Sequence, residues 1–198
     1  MQTEERAPGR AAAPSTYRWA AVGCAVLAGA IGWTDALAVV GGQVIAAWKV
    51  GGALLLACLA LVLAASALSR RSQAAGEEAG PRRWMLVAPA AAAGLGVAWG
   101  AVGDLGAEYH VLEPTGPGGC RAVVREASFL LAGRGEVFAV GAGGVGWKPM
   151  GSWTADDGIR PIADGSYELK WGPKEGTLLI HGSNANPVWP ALHGVSCG

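Results

Sequence analysis

Three long apolar runs in the first half of the chain constrain its fold more than any other feature. They extend from Trp19 to Val40, from about Val50 to Ser69, and from Trp84 to Gly103. Each holds about 20 residues, the number that a helix rising ~1.5 Å per residue needs to cross ~30 Å of hydrocarbon. A helix on a soluble domain shows polar residues every three or four positions on its outer face. The stretch from Gly51 to Ala65 shows none. The expectation is therefore a membrane domain over 19–103 with three transmembrane helices, at about 19–40, 50–69 and 84–103.

The flanks fit that reading. Trp19, Trp33, Trp48, Trp84 and Trp99 lie near the ends of the runs, where an apolar ring with one N–H donor suits the headgroup level. Ala25/Gly29, Ala28/Gly32 and Gly96/Gly100 have the spacing of close helix contacts, although Ala and Gly are common enough here to produce it by chance. Pro89 removes one backbone donor from the third run, which a membrane helix tolerates. Charge is sparse, 15% of 198 residues, against about a quarter in soluble domains. A net charge of zero argues against a nucleic-acid partner, which needs clustered Lys and Arg.

The basic residues are placed unevenly. Residues 1–103 carry a net charge of +3 and residues 104–198 a net charge of −3. Arg6, Arg10 and Arg18 precede the first run, and the loop between the second and third is bounded by Arg70-Arg71 and Arg82-Arg83. The link from Gly41 to Lys49 has a single Lys. Because Lys and Arg collect on cytoplasmic loops, the tail 1–18 and the Arg-rich loop are expected inside. The short link and everything after Gly103 are expected outside, giving a multi-pass plasma-membrane protein. Ala36-Leu-Ala38 offers a small-x-small cleavage site, but the run is longer than a signal core and Asp35 precedes the site. Leu55-Leu-Ala-Cys58 resembles a lipobox, yet the apolar stretch continues past it, so Cys58 reads as a packing residue.

Residues 104–120 are rich in Pro and Gly and read as an extended extracytoplasmic stalk without a core. From 121 to 198 the chain turns to short alternating segments. Ala122–Arg125, Ser128–Leu131, Glu136–Val140, Tyr167–Trp171, Thr177–His181 and His193–Cys197 read as strands, with hairpin composition at Ala132-Gly-Arg-Gly135 and a turn at Gly172–Gly176. The fold expected is a small all-β antiparallel sandwich or barrel-like domain of five to seven strands. Cys120 and Cys197 bracket it, and in an oxidising compartment they are expected to form a disulfide.

No catalytic set stands out. His110, His181, His193, Cys120 and Cys197 lack the paired close ligands of a structural zinc site. Asp156, Asp157, Asp164, Asn184 and Asn186 fall in ordinary turn sequences rather than a calcium loop. No G-x-S-x-G motif accompanies Ser183, and Gly141–Gly146 is not followed by a helix. No metal or cofactor is expected. The remaining chemistry is aromatic: Trp147, Trp153 and Trp189 are candidate ligand-contact rings, and Trp171 is a fourth Trp in the same small domain.

The reading that follows is a membrane-anchored binding or interaction module of the cell envelope. Its partners would be the bilayer and an envelope glycan or a partner membrane protein. The alternative is an extracytoplasmic hydrolase in which His181 or His193 acts with Ser183. Transport ranks last, because no polar cluster lies within the runs; Asp35 and Lys49 sit near their outer edge. The Ala, Gly and Arg richness resembles that of proteins from high-GC bacteria, and no motif ties the chain to a characterised family.

Overall fold

The computed structural model describes residues 14–71 and 83–197. Most of the amino-terminal tail and of the Arg-rich loop lies outside the described residues. The chain opens with helix α1 (Pro14–Gly32), followed by the hairpin β1 (Leu37–Val40) and β2 (Gln43–Ala46), and then helices α2 (Ala47–Arg71) and α3 (Arg83–Gly103). Nine strands follow: β3 (Ala107–Val111), β4 (Arg121–Phe129), β5 (Ala132–Val140), β6 (Val145–Gly146), β7 (Pro149–Asp156), β8 (Tyr167–Trp171), β9 (Gly176–Ile180), β10 (Val188–Trp189) and β11 (Leu192–Val195).

The expectation of three transmembrane helices is not supported. Among the described residues one segment, Ala47–Ala67 in α2, is long and apolar enough to cross a membrane. The apolar parts of α1 and α3, Trp19–Gly32 and Val87–Gly103, are shorter. The first run falls short because its last part is not helical. Gly41 and Gly42 both take positive φ, 59° and 82°. They form the two-residue turn that such a Gly-Gly pair favours between strands. Residues 37–40 therefore pair with 43–46 instead of extending α1.

The helices pack through small residues. Ala21, Ala25, Ala28, Ala65 and Ala93 are buried. A β-carbon at Gly100 would lie 2.7 Å from Trp48 Cβ, and one at Gly96 would lie 3.0 Å from the Trp33 ring. The Gly96/Gly100 spacing thus marks a real contact face on α3, on which Trp33 and Trp48 rest.

The β domain is built from antiparallel sheets. A five-stranded sheet has the order β10-β7-β5-β4-β3, and a second sheet has the order β11-β9-β8. A third, β2-β1-β6, ties the hairpin between α1 and α2 to the domain. Residues alternate faces along a strand, so β4 and β5 each serve two cores. Ala122, Val124 and Val137 pack with Trp153, Leu169, Leu178, Ile180 and Val195 of the surrounding strands. Val123 and Phe138 point the other way and pack with Leu37 of β1. The hairpin after α1 is thus part of the β domain's core.

Two further expectations change. Residues 104–120 are not a coreless stalk: β3 pairs with β4 from Ala107↔Ala127 to Val111↔Val123, and Leu112 is buried. The sequence Ala132–Gly135 is not a turn but the start of β5, and the turn falls at Leu130-Leu131, between the paired Phe129 and Ala132. The glycines there serve packing. A β-carbon at Gly135 would lie 2.0 Å from the Trp153 ring, and one at Gly133 would lie 2.5 Å from the Ile159 carbonyl oxygen.

Candidate functional site

The polar chemistry concentrates where the helices meet the five-stranded sheet. Asp104 follows the last residue of α3, and its side chain is only 7% exposed. Its Oδ1 accepts from Tyr109 Oη at 2.7 Å and from Arg125 Nε at 3.0 Å, and its Oδ2 accepts from Trp48 Nε1 at 2.8 Å. The donors come from β3, β4 and the first turn of α2, so one carboxylate joins three elements.

Arg125 continues the network. It donates from Nη1 to Glu136 Oε2 at 2.8 Å and from Nη2 to the Gly103 carbonyl. Arg125 and Glu136 are direct cross-strand partners, a position where opposite charges stabilise a sheet. The Gly103 carbonyl also accepts from Arg134 Nη2 at 3.0 Å. Two guanidinium groups therefore cap the last turn of α3, where unpaired carbonyls carry partial negative charge. Burial favours the neutral form of Arg125, but the Glu136 bond and charge, Tyr109 and the Asp104 bond together outweigh it and hold the group above its usual value. The Tyr109 hydroxyl is pushed well above its ordinary range, by burial first and then by its bond to Asp104.

These groups border a cavity of about 420 Å³, whose lining also includes Asp35, Leu37, Trp99 and Phe138. The cavity lies between the helix ends and the sheet, with an apolar side and a charged side. Its buried polar groups are engaged with one another. Asp104 is held by three donors from three elements, so the arrangement serves as a joint.

A second buried carboxylate lies on the opposite face of β4. Glu126 is 1% exposed and accepts from the backbone N–H groups of Ile162 and Ala163, both at 2.9 Å. Burial raises its pKa, against the lowering effect of those two bonds. His110 Nε2 lies 3.7 Å from Glu126 Oε2. Here Glu126 holds the 160–164 segment against the sheet.

The residues singled out from sequence are placed as follows. Cys120 and Cys197 are bonded to each other, with Cα atoms 5.9 Å apart and a sequence separation of 77. Trp147 and Trp189 are 75% and 74% exposed. Trp153, expected among the ligand-contact rings, instead lies in β7, buried beside Gly135, and cannot present its ring. Trp171 lies across the 114–116 segment, donating from Nε1 to the Pro114 carbonyl at 2.7 Å.

His193 is a core residue, its ring centroid 5.5 Å from that of Trp153. Burial lowers its pKa, partly opposed by the contact of Nε2 with the Pro190 carbonyl at 3.0 Å. His181 follows β9 and is exposed, and Ser183 Oγ accepts from the Asn186 N–H at 3.0 Å. Neither histidine has a hydrogen bond to Ser183 in this arrangement. Among the described residues, no group of three or more His, Cys, Asp or Glu is placed to hold a metal.

Sequence reasoning missed the Asp104 joint because its members are scattered over 89 positions, from Trp48 to Glu136. The available signal was Asp104 itself, an acidic residue immediately after an apolar helix ending in Gly. Compared with protein-family models, with curated proteins and with solved structures, the chain matches none.

Proposed function

We propose that the protein is anchored in the plasma membrane with α2 crossing the bilayer. In this reading α2 carries the chain from the hairpin to a cytoplasmic Arg-rich loop, α3 brings it back, and the hairpin and the β domain, which share a core, lie on the extracytoplasmic side. There the domain acts as a binding or interaction module of the cell envelope, its partner an envelope glycan or another membrane protein.

The observation that carries the proposal is the inverted packing of the helical layer. Its buried positions are mostly Ala, with Cys58 among them, while Leu27, Leu56, Leu59, Leu63, Val87 and Leu95 face outward, each more than half exposed. Water disfavours so much continuous apolar surface, whereas lipid contacts it without cost and leaves close small-residue packing to hold the helices together. Two features support the orientation. Arg70 and Arg71 close α2 and Arg83 opens α3, at the helix ends remote from the β domain. The Cys120–Cys197 bond belongs to an oxidising compartment. The exposed rings of Trp147 and Trp189 supply the binding surface, since exposed Trp faces take sugar rings and protein partners alike.

The test is photo-crosslinking from intact cells, with a photoreactive side chain placed at Trp147 or at Trp189. A discrete adduct, to glycan or to a membrane protein, supports the binding role and names the partner class. Absence of adducts at both positions, with the protein present at normal level, removes that role.

A further inference from the structure

The most conspicuous unpartnered feature of the β domain is the tip of the β4–β5 hairpin. Phe129, Leu130 and Leu131 are 78%, 82% and 74% exposed. Leu130 has φ +54°, a left-handed conformation that costs an L-residue energy and that Gly or Asn normally takes in such turns. A leucine here gains little from the fold, because its side chain is almost wholly exposed. The turn is nonetheless firmly held. Gly158 donates its N–H to the Leu131 carbonyl at 3.0 Å, and Ser128 Oγ donates to the Gly158 carbonyl at 2.9 Å. The three apolar side chains are thus presented on a braced turn.

Their direction follows from the strand. Arg125, Ala127 and Phe129 alternate onto one face of β4, and Arg125 on that face bonds Gly103 and Asp104 at the end of α3. Phe129 therefore projects from the side of the sheet that lies over the helix ends, four residues beyond Arg125. The segment leaving α3 passes beside it: a β-carbon on Gly106 would lie 3.6 Å from the Ser128 carbonyl oxygen. Leu105 in that segment is 72% exposed, as are Trp99 (77%) and Val102 (63%) on the last turns of α3. The apolar perimeter of the helices thus continues through Leu105 to the hairpin tip.

We propose that Phe129, Leu130 and Leu131 insert into the interfacial region of the same bilayer that holds α2. They form a second membrane contact that, with the Asp104 joint, fixes the tilt of the β domain over the membrane. The occupant is lipid, because the patch is continuous with the lipid-facing helix surface; Asp156 and Asp157, exposed beside Ala132 and Gly158 at the base of the turn, would then lie at the headgroup level. This inference rests on the membrane reading above.

The test is site-directed spin labelling of the full chain in liposomes of phosphatidylethanolamine and phosphatidylglycerol, with Cys24 and Cys58 replaced by Ala. Labels are placed singly at Leu130→Cys, at Leu59→Cys on the outward face of α2, and at Lys174→Cys on an exposed turn of the β domain. The label at 130 is expected to collide more with oxygen and less with a water-soluble nickel chelate than the label at 174, at a depth shallower than that at 59. A label at 59 in oxygen-rich hydrocarbon with a label at 130 as chelate-accessible as that at 174 overturns the tip proposal alone. A label at 130 shielded from both reagents signals a protein contact, a second copy or a partner, and also overturns it. A chelate-accessible label at 59 overturns the membrane reading itself.

Discussion

Replacing Asp104 by Ala removes the acceptor that joins α2, β3 and β4. Three donors lose their partner at once: Trp48 Nε1, Tyr109 Oη and Arg125 Nε, which now reach it at 2.8, 2.7 and 3.0 Å. Breaking a buried charge pair by deleting one member costs about 3–5 kcal/mol, mostly because the other charge is left uncompensated. Arg125 keeps Glu136 and the Gly103 carbonyl, which places the expected loss at the lower end, about 3 kcal/mol. For a chain of this size each kcal/mol lowers the melting temperature by roughly 2–4 °C, so the variant should melt roughly 6–12 °C lower. Tyr109→Phe removes one donor and spares the carboxylate, so its loss should be about 1 kcal/mol. The assay is thermal unfolding in detergent micelles of both single variants and the double variant. The double variant should lose less than the sum of the two, since Tyr109 has no acceptor left once Asp104 is gone. A drop below roughly 2 °C for Asp104→Ala would refute the joint.

The remaining predictions concern the domain behind that joint. Cys120→Ala opens a closed loop of 77 positions and should cost about 4.5 kcal/mol in the chain-entropy account, read as a lower urea midpoint that reductant no longer changes. Gly135→Ala drives a methyl group into the Trp153 ring and should cost at least about 1–3 kcal/mol, with loss of near-ultraviolet circular dichroism from a displaced indole. An unchanged spectrum at that position would mean that Trp153 does not fill the space assigned to it. His193 has a folded pKa below its ordinary 6.5, so its neutral form is favoured on folding. The stability it contributes is complete above pH 6.5 and declines as pH falls from there through the depressed value. His193→Gln should flatten that part of the pH–stability curve, and a curve that keeps its slope would assign the proton uptake to another group.

Much of the β domain was legible because its strands carry period-two patterns and its turns carry turn residues. Tyr167–Trp171 alternates cleanly, and Gly172–Gly176 turns it back as β8 and β9. Failures arose where a residue served a tertiary purpose that mimics a local signal. Gly133 and Gly135 look like a hairpin turn, but they are strand residues kept small for Ile159 and Trp153. The true turn at Leu130-Leu131 has no turn composition at all, and Leu130 takes a positive φ there with its side chain exposed.

The opposite error occurred at Gly41-Gly42. Residues 37–40 are apolar because Leu37 packs under Val123 and Phe138 in the β domain, yet apolarity alone made them look like the end of a helix. Hydropathy reports that a residue is removed from water and does not distinguish lipid from a protein core. The disulfide was legible because two cysteines bracket one domain. The Asp104 joint was not, since its members meet only through the packing of α2 against α3 and of the sheet over both.

The central claim, a β domain held on the outer side of the membrane, is tested most directly by the domain's own cysteines. Intact cells are treated with a membrane-impermeant maleimide, before and after a mild reductant, and labelling is read on Cys120 and Cys197. The account predicts no labelling before reduction and labelling of both residues after it, without lysis. Labelling that requires lysis and needs no reductant would place the domain inside the cell with free thiols, and would contradict both the orientation and the brace.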